Sequence, residues 1–297
     1  MINLTRQEYN KIKSSSTTID ANEGYLFKKP HDSSKMIKII SVLPPNKEYL
    51  KMKMYTINCL LKNRNILEDI HITIPKELVT IDLEPRGCSE LYIDGLTLKN
   101  ALDNYKISLD TRINYLKQVG SILREMDNIR KTTHLNNFYY NDIHEDNFIV
   151  RRDGIVFGVD IDSCSIEDNN PSIALYPSEL IHLEPTLTKY HRCKTICEYG
   201  TDLIPDENLD LYCYIKMILN FMYGKPIDDL NKDKLFEYLN FLEYYGGNPE
   251  FLYCLSKIYD DNVDNINPDY LLEYIKEIYP VSNYYYDKTG KLSKVLR

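Results

Sequence analysis

The sequence predicts an α+β chain in which a small antiparallel sheet comes first and a larger, mainly helical part follows. Residues 1–110 alternate short apolar runs with turns, the pattern of a small sheet that carries one helix. From Asp110 onward, apolar residues recur at helical spacing, and a tight hairpin interrupts them at residues 148–159. A chain of 297 residues, 43% of them hydrophobic, is long enough to bury a substantial core in one large domain or two lobes.

Composition argues against several classes of protein. The net charge of -8, without a long basic run, disfavours electrostatic binding to nucleic acid or to anionic lipid. Seven cysteines, an odd number without paired spacing, fit a reducing compartment better than a disulfide framework. Residues 1–16 lack the apolar core of a signal peptide, and the longest apolar run, 211–223, is broken by Lys216 and Asn220. We therefore expect a cytoplasmic protein without a membrane span.

A lysine stands out in the first part of the chain. Strands are predicted at residues 24–27 and 36–40, joined by a turn-rich segment, and Lys38 lies within the second strand between isoleucines. A lysine in a buried strand needs an anionic partner, because burial removes its hydration. The alternative is an edge strand from which Lys38 points into water.

The remaining elements of the first part follow from spacing. A helix is predicted over residues 46–62, where apolar residues recur every three or four positions and Glu48 is the sole acid. Strands are predicted at 78–82 and 88–93, and Asp94-Gly95 ends the second of them in a turn.

A hairpin in the second part concentrates polar side chains. Apolar runs at 148–150 and 155–159 flank Asp153-Gly154, a pair that accepts the positive φ values of a tight hairpin turn. Carboxylates and an amide lie at the two mouths of this hairpin: Asp142, Asp146 and Asn147 before the first strand, and Asp160 and Asp162 after the second. We expect Asn147 and Asp160 to face each other, and oxygen ligands of this kind suit Mg²⁺.

Helices are predicted on both sides of this hairpin. An apolar stripe from Ile113 to Ile129 predicts a long helix with Asp110 as its cap. Further helices are predicted at 210–219, 233–245, 248–259 and 267–279, the last two with Asn-Pro pairs that supply a cap and a first helical residue.

Three segments resemble the protein-kinase-like superfamily. Residues 140–147, YNDIHEDN, are similar to its catalytic loop, in which an Asp is followed five positions later by an Asn. Residues 159–162, VDID, resemble its metal-binding DFG segment. Residues 210–219, DLYCYIKMIL, are similar to a central helix of the large lobe, whose leading Asp holds the backbone of the catalytic loop. The resemblance implies a bilobal fold with an N-lobe at 1–93 and a C-lobe at 94–297.

The resemblance also implies roles for individual residues. Asp142 would accept the proton of an attacking hydroxyl, while Asn147 and Asp160 would hold Mg²⁺ on the phosphates of ATP. The segment MIKII resembles the kinase strand whose lysine holds the α and β phosphates, which assigns that role to Lys38. The family pairs this lysine with a helical glutamate, for which Glu48 is the candidate.

The resemblance places adenine near the end of the first part. The Leu91 carbonyl and the Ile93 amide would face the base, with Glu90 in the gatekeeper position. Gly24 stands where the family carries a loop with two or three glycines.

The function implied is transfer of the γ-phosphoryl group of ATP to a hydroxyl. A protein Ser or Thr is the first acceptor to consider, because the helix led by Asp210 and the long segment 163–205 resemble protein kinases. His144 occupies a position where aminoglycoside and choline phosphotransferases commonly carry His, which favours a small-molecule acceptor instead. The incomplete glycine loop and the lack of a family Arg before residue 268 leave an inactive nucleotide-binding module as a third reading.

Overall fold

The computed structural model gives an α+β architecture, which confirms the predicted class. The residues that it describes are 1–14, 19–21, 24–29, 32–40, 47–167, 169, 207–224, 232–244, 247–257, 266, 271, 284–286 and 292–294. The segment 170–205 and nearly all of the helix predicted at 267–279 lie outside these residues.

The first part of the chain forms a six-stranded sheet. Its strands are β1 (Ile2–Leu4), β2 (Ile19–Ala21), β3 (Gly24–Lys29), β4 (Asp32–Ile40), β5 (Glu77–Ile81) and β6 (Glu84–Leu91), in the spatial order β1-β5-β6-β4-β3-β2. The strands predicted early in the chain are confirmed as β3 and β4, which pair antiparallel. The expectation of a purely antiparallel sheet is wrong, because β1 pairs with β5 in parallel.

The first part also contains more helix than the single one predicted. Besides α2 (Lys47–Lys62), there are α1 (Arg6–Lys13) and the short α3 (Arg64–Leu67). Helix α1 begins with a capping box, in which Glu8 N donates to Thr5 Oγ1 over 3.2 Å and Thr5 N donates to Glu8 Oε2 over 2.7 Å. This box fixes a helix on a segment whose apolar positions are few.

The two faces of this sheet are covered differently. One face carries a buried cluster of Phe27, Ile37, Ile39, Val79 and Ile81, against which residues of β1 and α1 pack. On the opposite face, Ile40 and Cys88 pack with Met54 and Ile57 of α2. Because side chains alternate along a strand, Lys38 shares the face of Ile40 and is turned toward α2.

A second, three-stranded sheet contains the predicted hairpin. Its strands are β7 (Gly95–Thr97), β8 (Phe148–Arg151) and β9 (Val156–Gly158), all antiparallel. A turn between β8 and β9 is confirmed here, but of the pair Asp153-Gly154 only Gly154 has a positive φ, of 84°. Strand β7 begins at Gly95, the second residue of the turn predicted at Asp94-Gly95.

Helices form most of the remaining described chain. They are α4 (Leu98–Leu102), α5 (Leu109–Thr132), α6 (Glu207–Tyr223), α7 (Lys232–Tyr244) and α8 (Pro249–Ser256), and they share one large core with the second sheet. Strands β10 (Tyr284–Tyr286) and β11 (Leu292–Lys294) make a separate antiparallel pair. Within the described residues no helix has both the length and the apolar character needed to span a membrane.

One predicted cap is corrected and another confirmed. Helix α5 is capped by Ser108, whose Oγ accepts from Thr111 N over 3.2 Å, and not by Asp110. Asp110 instead lies in the first turn, where a carboxylate is favoured by the helix dipole. Asn248 caps α8 as predicted, accepting from two backbone amides.

Candidate functional site

The open end of the β8–β9 hairpin is closed by backbone contacts. Val159 N donates to the carbonyl of Asn147 over 2.9 Å. The Tyr140 hydroxyl lies 3.1 Å from the same carbonyl, also contacts the carbonyl of Val159, and its ring stacks on Phe148. Because Asp160 directly follows Val159, Asn147 and Asp160 belong to the same end of the hairpin.

Asp142 lies in the loop that leads into this hairpin and is 6% exposed. Asn147 Nδ2 donates to Asp142 Oδ2 over 2.6 Å and to the Asp142 carbonyl over 2.9 Å. Because the amide nitrogen is committed in this way, Asn147 Oδ1 is the atom of that side chain suited to a cation. His144 Nε2 lies 3.6 Å from Asp142 Oδ1. Burial lowers the pKa of His144, but the neighbouring carboxylates outweigh burial and raise it overall.

The backbone before Asp142 is held by Asp210 of α6. Its two carboxylate oxygens accept from Tyr140 N and Asn141 N, each over 2.8 Å. Asn141 has φ 68°, an uncommon left-handed conformation for a residue with a Cβ, and its side-chain amide donates to Ser165 Oγ over 2.7 Å. The loop conformation is therefore fixed from both sides, and Asp210 makes the contact that the resemblance implies for it.

Lys38 joins the six-stranded sheet to the residues that follow the hairpin. Its side chain is 5% exposed, its Nζ donates to Asp162 Oδ1 over 2.6 Å, and it also contacts the carboxylate of Asp160. The edge-strand alternative for Lys38 is therefore wrong. A buried ammonium is stabilised here by two acids, as the loss of hydration requires.

Asp160 has an unusual backbone conformation and a perturbed carboxylate. Its φ is 64°, in the left-handed region, and it precedes a short 3-10 turn at Ile161–Ser163. Burial disfavours its ionised form, but the charges of Lys38 and Lys53 outweigh burial and lower the pKa of Asp160. Strained residues of this kind concentrate at functional sites, so the observation supports a role for Asp160 beyond folding.

Lys53 is a member of this cluster that the sequence reasoning missed. It extends from α2, is fully buried, contacts Ser163 Oγ, and its Nζ lies 3.6 Å from Asp162 Oδ2. A signal was available, because Lys53 stands three residues after Leu50 and four before Ile57 on the apolar face of the helix.

Glu90 lies on the same face of the sheet as Lys38. It is on β6 two residues beyond Cys88, which pairs with Lys38, and its Oε2 accepts from Thr73 Oγ1 over 2.9 Å. Burial raises the pKa of Glu90 to about 7, and the carboxylates of Asp160 and Asp162 act in the same direction, while Lys38 opposes them. Glu90 therefore exchanges its proton near neutral pH.

The other predicted site residues are Gly24, Leu91, Ile93 and Glu48. Gly24 begins β3 and pairs with Ile40 of β4, two residues from Lys38. Leu91 ends β6, and Ile93 is buried in the connection from β6 to β7. Glu48 lies in the first turn of α2, but its side chain lies outside the described part of the chain, and so does its predicted pairing with Lys38.

The oxygen atoms of Asn147 and Asp160 suit Mg²⁺ better than they suit a metal ion whose ligands are all protein side chains. Among the described residues, no group of three or more His, Cys, Asp or Glu side chains is arranged to hold a metal ion. Mg²⁺ typically takes only one or two protein carboxylates and keeps water and phosphate oxygens. One carboxylate from Asp160 and one amide oxygen from Asn147 meet that requirement.

Comparison with known proteins does not identify a family. No protein-family model matches the chain, and no curated protein is significantly similar to it.

Proposed function

We propose that this protein is an ATP- and Mg²⁺-dependent phosphotransferase with a bilobal protein-kinase-like fold, divided between residues 93 and 94, that phosphorylates Ser or Thr hydroxyls. The supporting observation is a continuous set of contacts. Lys38 contacts the carboxylate of Asp160. The residue before Asp160, Val159, donates its backbone N–H to the Asn147 carbonyl, and the Asn147 side chain donates to Asp142. Residues more than a hundred positions apart thus converge on one place.

The nucleotide would lie between the six-stranded sheet and this mouth. Lys38 supplies an ammonium group for the α and β phosphates. Its contacts with Asp160 and Asp162 restrict the conformations of its side chain before the nucleotide binds. The Leu91 carbonyl and the Ile93 amide would bind the adenine edge, and the backbone of Gly24 would contact the phosphates. Asn147 Oδ1 and Asp160 would hold Mg²⁺, which would supply positive charge to neutralise the phosphates.

Asp142 supports the chemical step. One of its oxygens is occupied by Asn147 Nδ2, so the carboxylate cannot rotate freely. Its Oδ1 accepts the proton as the acceptor hydroxyl forms a bond to the γ phosphorus. The bond from that phosphorus to the bridging oxygen breaks, and ADP leaves with the electron pair. Positioning and charge neutralisation carry most of such a reaction, so no covalent nucleophile is required.

Replacing the proton acceptor tests this proposal. In Asp142→Asn the amide oxygen still accepts from Asn147, so we expect an intact fold and unchanged affinity for Mg-ATP. We expect turnover to fall by at least about 100-fold, the usual contribution of a general base. ADP release with a generic protein acceptor measures turnover, and calorimetry measures affinity. Equal turnover in the variant and the wild type contradicts the role of Asp142.

The contact of His144 with Asp142 favours a small-molecule acceptor as the second candidate. The imidazole of His144, whose Nδ1 accepts from Asp146 N over 3.3 Å, would orient a small polyol or amino alcohol beside the base. The same ADP assay with aminoglycosides and amino alcohols in place of protein separates the two acceptor classes. If the protein binds ATP in the presence of Mg²⁺ but turns over neither protein nor small-molecule acceptors, it is an inactive nucleotide-binding module, the third hypothesis.

A further inference from the structure

The carboxylate of Asp162 lies between two lysines from different elements. Its side chain is 3% exposed, Oδ1 lies 2.6 Å from Lys38 Nζ of β4, and Oδ2 lies 3.6 Å from Lys53 Nζ of α2. Lys53 also contacts Ser163 Oγ, in the same short turn as Asp162. One carboxylate thus fixes a strand and a helix to the turn that follows Asp160.

The two acids that contact Lys38 differ in the solvent exposure of their side chains. The Asp160 side chain is 36% exposed, whereas the Asp162 side chain is 3% exposed. A cation arriving with a nucleotide can reach Asp160, but to reach Asp162 it would have to displace a buried lysine. Charges buried together in this way are costly to separate, because neither recovers its hydration.

From this difference we infer that Asp162 is a positioning residue that holds Lys38 toward the nucleotide phosphates while Asp160 binds the cation. Lys53 is the second charge that keeps the Asp162 carboxylate between strand and helix. This inference rests on the proposed function, because it assigns a role within the same site. It gives different roles to two aspartates that lie only two positions apart: Asp160 binds the metal ion, and Asp162 positions Lys38.

The test uses a paired substitution, because Asp162→Asn alone removes a counter-charge from buried Lys53 and destabilises the fold. In Asp162→Asn with Lys53→Met, both charges are removed, so we expect a melting temperature above that of Asp162→Asn. Calorimetry then measures the affinity of each protein for ATP with Mg²⁺, for ATP without Mg²⁺, and for adenosine, which lacks phosphates. Asp153→Asn, at the opposite end of the hairpin, is the matched control.

The paired variant should bind ATP about tenfold more weakly than wild type, with or without Mg²⁺, since one charge-assisted contact orients Lys38. Its affinity for adenosine should be unchanged. Unchanged ATP affinity, or an equal loss for adenosine, overturns the inference and leaves the proposed function standing. A loss confined to Mg-ATP also overturns it, because Asp162 would then be a metal ligand. Wild-type protein that binds no ATP overturns both the proposed function and the inference.

Discussion

At the scale of single residues, the Asp210 carboxylate determines the conformation of the loop that carries Asp142. It accepts two backbone N–H groups at 2.8 Å each, from Tyr140 and Asn141, and it is 5% exposed. Without this acceptor both donors would remain buried near an unusual left-handed residue. The same carboxylate thus contributes to stability and to the geometry of the site.

Two substitutions of Asp210 should show whether its contribution to the free energy of unfolding comes from its charge or from its hydrogen bonds. We expect Asp210→Ala to lower the free energy of unfolding by about 3 kcal/mol, because two buried donors lose their partner. Asp210→Asn retains one acceptor oxygen and should lose roughly half as much. Urea unfolding measures both values. Equal losses in the two variants would show that the hydrogen bonds are not the cause.

Local sequence pattern predicted contacts between residues close in sequence, but it did not predict distant ones. Asp142 and Asn147 are five positions apart, so their approach follows from local structure and the hairpin. Lys38 and Asp162 are 124 positions apart, and local pattern carries no information about such a contact. The need of Lys38 for an acid was predictable from its buried strand, whereas the identity of that acid depended on the fold.

At the scale of elements, β4 and β6 approach each other unusually closely beside Lys38. A Cβ added to Gly87 would lie 1.9 Å from the Lys38 carbonyl oxygen and 3.1 Å from Ile39 Cα. Both neighbours are backbone atoms, so no side chain can turn away to make space. The absence of a side chain at Gly87 therefore sets the spacing of the two strands.

We expect Gly87→Ala to lower the free energy of unfolding by about 2 to 3 kcal/mol, because the strands must move apart. The same shift should weaken ATP binding, since it displaces Lys38. Denaturant unfolding and calorimetry measure the two effects. Gly154→Ala is the matched control: its Cβ would meet nothing within 4 Å, and only its positive φ carries a cost of about 1 kcal/mol. A smaller loss for Gly87→Ala than for Gly154→Ala would contradict the packing argument.

Among the elements, those with strong local signals were predicted and short ones were not. The β8–β9 hairpin followed from Asp153-Gly154, and α5 followed from its long apolar stripe, although its cap was misplaced by two residues. Strand β1 was missed because three residues give no measurable alternation. Its partner is remote, with Ile2 opposite Val79, so pairing rather than propensity creates this strand.

At the scale of the whole molecule, Glu90 couples stability to pH. Its pKa rises from 4.5 in the unfolded chain to about 7 in the fold, chiefly through burial. Between these values the folded state binds the proton that the unfolded state has lost. Stability from this group is therefore present at low pH and falls as the pH rises toward 7.

We expect Glu90→Gln to remove this dependence. Relative to wild type, the variant should gain about 2 kcal/mol in free energy of unfolding when the pH is raised from 5 to 8. Urea unfolding at the two pH values measures the difference, with Glu84→Gln on the exposed end of the same strand as control. A constant difference between wild type and Glu90→Gln would show that Glu90 does not titrate in this range.

The parallel strand β1 also affects the order in which the sheet can be completed during synthesis. Ile2–Leu4 is translated some seventy-five residues before its partner Glu77–Ile81. At bacterial or eukaryotic elongation rates this delay is roughly 4 to 15 seconds. During that interval β1 lacks the strand with which it pairs, so this edge of the sheet cannot be completed until Glu77–Ile81 has been made.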